Sequence, residues 1–96
     1  VSLKTAKVVA CEPVKKSDKL LCLQLELGEE KRQVVSGIAE YYKPEDLIGK
    51  TVILVANLKP AKLRGVESQG MILAADTPNG VQVIFVDGVP SGCKIR

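Results

Sequence analysis

The sequence predicts an all-β domain: a five-stranded Greek-key barrel with one short helix between its third and fourth strands, plus further strands toward the carboxyl end. Three observations carry that reading. Val and Leu recur in short runs broken by Gly and Pro roughly every ten residues, the rhythm of small barrels and sandwiches. The stretch LLCLQLELG, from Leu20, sets Leu21, Leu23, Leu25 and Leu27 on one strand face and Cys22, Gln24 and Glu26 on the other, because successive side chains alternate. A Pro-Glu-Asp signal at Pro44, Glu45 and Asp46 opens a single helix.

Taken in chain order, LKTAKVVAC is the first strand, with Ala6, Val8 and Ala10 as its inward set. EPVKKSDK closes it with a proline and several polar residues. LLCLQLELG is the second strand and RQVVSGIA the third. The Ser36-Gly37 pair is unusual inside a strand, where Gly marks a bulge, a bend or a close approach by something else; a barrel corner is favoured over a ligand contact. In YYKPEDLIGK, Pro44 suits a first helical position, the two acids suit the positive end of the helix dipole, and Gly49 ends the turn. TVILVAN then reads as a strand buried on both faces. GMILAAD and VQVIFVD follow, joined by the turn TPNG. Strand order and helix position match the oligonucleotide/oligosaccharide-binding (OB) fold, with an SH3-like barrel as the architectural alternative.

The 96 residues form one domain, 1–96, on length alone. A chain this short buries little more than about 60% of its unfolded surface, so the core is small. Charged residues are plentiful, and the longest uncharged apolar run, Val52 to Ala56, is far too short to span a bilayer. The expectation is a soluble protein with no membrane partner. A first residue of Val rather than Met reads as a piece of a longer chain or a trimmed one.

Three cysteines, Cys11, Cys22 and Cys93, are widely spaced without a C-x-x-C pair, and there is no histidine. Neither a disulfide framework nor a zinc site is expected, and no cofactor. Unpaired thiols point to a reducing compartment, the cytoplasm.

The stretch NLKPAKLRGVESQGMILAA, from Asn57, concentrates the chemistry. Pro60 cannot donate to a strand ladder, so the chain is expected to leave the sheet after Asn57 and return near Gly65 as a protruding loop. Lys59, Lys62 and Arg64 lie close enough in sequence for one helical turn or an irregular loop to gather them toward an anion. Arg64 can grip two phosphate oxygens with its planar fork. The competing reading is a solvated charged face. The net charge of +3 is too small for indiscriminate polyanion binding but permits a local basic surface, because most acids lie in the first half. Ser68, Gln69 and Gly70 add a hydroxyl, an amide and bare backbone, suited to sugar and phosphate oxygens. Met71 reads as core or as a soft contact to a base or sugar. With only Tyr41, Tyr42 and Phe85 as aromatics, few stacking platforms can be built. The expected mode is shape and backbone recognition of a folded RNA, with an exposed base read by Asn57, Ser36 or Ser68.

Those same residues resemble a known family. VVSGIAEYYKPEDLIGKTVILVANLKPAKLRGVESQGMILAA, preceded by EPVKKSDKLLCLQLELGEEKRQ, is similar to the tRNA-binding domain at the carboxyl end of bacterial methionyl-tRNA synthetases. It is similar also to free-standing bacterial tRNA-binding proteins and to the endothelial-monocyte-activating cytokine domain. The resemblance spans nearly the whole chain and centres on N-L-K-P-x-K-x-R-G-V-x-S-x-G-M. It implies an OB fold, tRNA binding that depends on structure more than on sequence, near the outer corner of the L, and assistance to an attached or partner synthetase. Carried to matching positions, the binding surface comprises Lys19, Ser36, Asn57, Lys59, Lys62, Arg64, Ser68 and Met71. The resemblance also implies a homodimer through the carboxyl-terminal strands, with VQVIFV as the interface candidate. Where many members carry histidine in the first loop, this chain has Glu12.

Two other function classes stand against the binding module. Catalysis by this chain alone is disfavoured, since no histidine serves acid/base work and no nucleophile motif appears. A protein-interaction or secreted signalling module is allowed by the cytokine resemblance but opposed by the unpaired cysteines.

Overall fold

The computed structural model describes residues 2–96. Its axis is β1 (Leu3–Pro13), whose first half pairs with β4 (Thr51–Val55) and whose second half pairs with β2 (Leu21–Leu27). β2 continues through a two-residue loop at Gly28 and Glu29 into β3 (Glu30–Ser36). The helix α1 (Pro44–Leu47) follows, with Pro44 in its first turn and the Asp46 carboxylate accepting the Lys43 N–H at 2.9 Å. It plugs one end of the curled sheet with Leu47, which is fully buried.

The core is the predicted leucine face and what it meets. Leu21, Leu23, Leu25 and Leu27 are all buried, packed with Ala6, Val8, Val34, Val52, Leu54 and Ile72. Burial of each such leucine contributes about 1.5–3 kcal/mol. Ala10, expected inward, is exposed. The register of β1 on β2 shifts between Val8 and Ala10, and this bulge reverses the alternation so that Cys11 turns toward the core instead. The third strand also ends earlier than expected, at Ser36, and Gly37 lies in the bend beyond it. The corner reading of that pair holds.

The largest departure from expectation lies between Asn57 and Ala75. Residues 57–60 are an irregular connection, but the cationic stretch beyond them is neither a helical turn nor a loop. β5 (Ala61–Leu63) and β6 (Val66–Ser68) form a hairpin, with Lys62 opposite Glu67 and Leu63 opposite Val66. β7 (Met71–Ile72) then pairs with β4. The apolar run breaks at Leu73, and β8 (Ala74–Thr77) leaves the main sheet to pair with β9 (Gly80–Val83) around the predicted TPNG turn. The main sheet runs β3-β2-β1-β4-β7, and its two ends approach each other where residues 67–70 meet β3. This curled antiparallel sheet with one helix between β3 and β4 is an OB-type barrel.

At the far end, β10 (Lys94–Ile95) pairs with the start of β1. Thr5 fastens the connection. It is fully buried; its hydroxyl donates to the Pro90 carbonyl at 2.6 Å and accepts the Cys93 N–H at 2.9 Å. Replacing Thr5 by Val keeps the shape but leaves both partners without a bond, which costs about 1–3 kcal/mol. Thr5→Val should therefore lower the urea midpoint by a corresponding amount, and an unchanged midpoint would show that the carboxyl-terminal segment is not held this way.

Candidate nucleic-acid interface

The seam of the barrel is made by side chains. The β3 amide of Val35 donates to the Ser68 hydroxyl at 3.0 Å, and that hydroxyl donates onward to the Gly70 carbonyl at 3.0 Å. The amide of Gln33 donates to the Gln69 side-chain oxygen at 2.9 Å, while the Gln69 amide returns to the Gln33 carbonyl at 2.7 Å. Gly70 is demanded by β4: a Cβ there would stand 2.8 Å from the Val55 carbonyl oxygen, and its φ is +154°. Arg32 ties the seam further, donating to Glu30 and to the carbonyl of Ala56. Ser68, Gln69 and Gly70 thus serve the fold, and Ser68 is buried with its hydroxyl engaged on both sides.

Closing the seam this way lays the β5–β6 hairpin against the outer face of β2 and β3. Val66 packs on a small second cluster of Val14, Cys22 and Val35. The hairpin and the β1–β2 loop then face each other across a cleft of about 350 Å³. Lys15 and Lys16 line one wall and Arg64 the other, with Cys22 and Gln33 also in the lining. Gln33 is fixed, accepting from Gln24 at 2.9 Å and donating to the Glu67 carbonyl at 2.8 Å. Three cations and one carboxylate, Glu12, surround the opening. OB folds bind extended ligands at this location, on the face of the second and third strands between the first and fourth loops.

Two features keep the cleft receptive to anions. The Cys22 thiol is uncharged at neutral pH at its ordinary value, and burial, with Glu12 nearby, raises it further. The Cys11 thiol is pushed up to about 11, first by burial and then by Cys22 and Glu12. The second feature is Arg64 itself. Arg64 and Gly65 form the two-residue hairpin loop with φ of +53° and +81°, the pattern of a type I′ turn. Gly, Asn or Asp normally takes the first of these positions, and an arginine held there is strained by about 1 kcal/mol.

The residues proposed from sequence separate into groups. Arg64 lies in the cationic cleft. Lys59 and Met71 share the other flank of the hairpin, a smaller cleft of about 250 Å³ with Leu58 and Leu63. Met71 is 56% exposed, which removes it from the core. Lys62 stands opposite Glu67 on the hairpin. Lys19 and Ser36 are neighbours at one end of β2 and β3, where the Lys19 carbonyl accepts the Ala39 N–H at 3.1 Å and Ser36 pairs with Leu21. Asn57 spends its side-chain oxygen on the Ser2 N–H at 2.8 Å. Sequence reasoning passed over Lys15, Lys16 and Gln33. The signal was present in VKKSDK, a cationic first connection that a closed five-stranded barrel brings opposite the fourth.

Comparison with known proteins finds relatives over the full length of the chain. The family described as Putative tRNA binding domain matches residues 3–94. The methionine–tRNA ligase of Clostridium tetani is 57% identical across this whole chain, and that of Bacillus subtilis 56%; the chain spans about 15% of the length of either. Among solved structures, a MetRS-related protein from Pyrococcus horikoshii superposes with a TM-score of 0.93 at 43% identity, covering 99% of this chain and 89% of that one. The chaperone CsaA of Bacillus anthracis superposes with a TM-score of 0.87 at 26% identity, covering 99% and 90% respectively.

Arg64→Asn should relax the turn while removing the guanidinium. The expected result is a melting temperature raised by several degrees, since about 1 kcal/mol shifts a domain of this size by roughly 4–8 °C, together with weaker RNA binding. A variant that binds RNA as well as the parent would mean that the strained arginine serves no ligand.

Proposed function

The chain belongs to the tRNA-binding domain family, and from that premise we propose that it is the non-catalytic, RNA-holding arm of a methionine–tRNA ligase. It recognises the fold and backbone of tRNA in preference to its sequence. One observation carries the reading: Lys15, Lys16 and Arg64 converge from two separate loops on one cleft over the β2–β3 face. Each cation alone is an ordinary solvated charge. Together, on a rigid barrel, they present a fixed spacing that a folded phosphate contour can match and a floppy strand must order itself to meet.

Around that centre, Lys59 and Met71 on the far flank of the hairpin extend the surface to a further phosphate and a sugar or base face. Lys62 and Lys19 add long-range attraction, and the Ser36 hydroxyl offers a polar contact at the end of β3. Asn57 contributes by holding the root of the hairpin connection against the amino-terminal strand. The arrangement supplies positioning and charge neutralisation to a partner synthetase. A free-standing RNA-binding protein of the same fold is the second reading; the higher identity to ligases than to CsaA favours the first.

The same proposal includes association of two copies through the carboxyl-terminal strands. VQVIFV is partly consumed by the core, since Val83 is buried and Phe85 packs against the main cluster. What remains outward is Ile84, with Ala74 and Ala75 exposed on the adjacent β8. Light scattering should give a dimer for the parent and a monomer for Ile84→Asp; a parent that stays monomeric at high concentration would remove this part.

RNA binding is tested by titrating tRNA and an unstructured RNA of equal length at several salt concentrations. The parent should prefer tRNA, with log affinity falling linearly against log salt. In a Lys15→Ala, Lys16→Ala, Arg64→Ala variant the slope should shrink by about three, one for each lost phosphate contact. Equal binding of the two RNAs, or an unchanged slope in the variant, would contradict the proposal.

A further inference from the structure

Lys15 lines two clefts, one on each side of the β1–β2 loop. The second, of about 440 Å³, lies between that loop and the connection from β3 into α1. Leu20, Tyr42 and Pro44 give it apolar walls, while Lys15, Asp18 and Lys43 supply charge. It is the larger of the two, and the phosphate-binding reading makes no use of it.

Tyr42 is what distinguishes this cleft. Its hydroxyl accepts the Val83 N–H at 2.9 Å, and its ring meets Phe85 edge-on with centroids 6.1 Å apart. The ring is therefore locked at its tip and along one side before any ligand arrives, so little rotamer freedom is lost on binding. The other aromatics lie outside this lining: Phe85 packs against the core, as Tyr42 also does, and Tyr41, 48% exposed, lies over Gly80.

We infer that this second cleft holds one unpaired nucleotide of the bound RNA, with its base laid against Tyr42 and its phosphate shared with Lys15. A nucleobase has two apolar faces and a polar edge, which suits a pocket with a fixed aromatic wall and charged groups at the rim. Asp18 gives the pocket a preference. Its carboxylate repels a phosphate seated deeply but accepts hydrogen bonds from exocyclic amino groups, so adenine, guanine and cytosine are favoured over uracil. Because Lys15 borders both clefts, the splayed nucleotide adjoins the backbone held by Lys16 and Arg64. The inference rests on the RNA-binding reading and adds a base-sized subsite to it.

The test uses three RNA hairpins of one sequence, fully paired, with a single bulged adenosine, and with a single bulged abasic residue, and a fourth with a bulged uridine that reads the base preference. The parent should bind the adenosine bulge about tenfold more tightly than the paired or the abasic hairpin, the scale of one base stacked on an aromatic ring. Tyr42→Leu should erase that difference while leaving affinity for the paired hairpin in place. Should Tyr42→Leu fold poorly, Asp18→Asn, an exposed change, should reduce the preference for a bulged adenosine over a bulged uridine. Equal affinity for the adenosine and abasic bulges, with salt-dependent binding of the paired hairpin intact, overturns the subsite alone. Failure to bind any of the three overturns the RNA reading as well.

Discussion

The hairpin wall of the cationic cleft is placed by the way the barrel closes. Between β3 and the strand that returns to it, the amides of Gln33 and Val35 are received by the side-chain oxygens of Gln69 and Ser68. A regular ladder would continue the returning strand straight along β3. A side-chain seam lets it turn at Gly70, where only a hydrogen fits beneath the Val55 carbonyl, and pass from β3 to β4 within a few residues. The segment before the turn is then free to rise as the β5–β6 hairpin and lie over the outer face of β2 and β3. Buried polar groups without partners cost about 1–3 kcal/mol each, so the seam is specific as well as permissive.

From this placement the electrostatics follow. The chain carries a net charge of only +3. In the proposed reading, selectivity for a folded polyanion comes from the geometry of a few charges presented from two loops on one frame. Cys22 and Gln33 line the space between them without charge, and Glu12 is the one carboxylate in the lining. The strained turn at Arg64 belongs to the same economy of means. The hairpin accepts an unfavourable backbone conformation at its tip and thereby carries a guanidinium to the edge of the cleft.

Much of the frame was legible in the sequence. The alternating leucines of β2, the Pro44 helix start and the TPNG turn each have a local cause, and each stands where local chemistry put it. Ala10 could not be placed by alternation because a bulge, a property of the β1–β2 pairing, reverses the phase there. The hairpin was missed for a related reason. Arg64-Gly65 is a poor turn signal by propensity, and the hairpin it closes has tertiary support at Val66, Glu67 and Ser68. Ser68, Gln69 and Gly70 were legible as polar and permissive, but whether they faced a ligand or a strand depended on how the sheet closed. The cationic cleft was half legible for the same reason: Arg64 stood out, whereas Lys15 and Lys16 gain meaning only once the first and fourth loops are opposite each other.

RNA in the proposed position lies over the β2–β3 face, between the β1–β2 loop and the β5–β6 hairpin. Amide hydrogen exchange with and without tRNA should then show new protection in residues 13–19 and 57–66, with the β8–β9 hairpin unchanged. Protection confined to β8, β9 and the carboxyl-terminal segment, with the two loops exchanging as in the free protein, would contradict it.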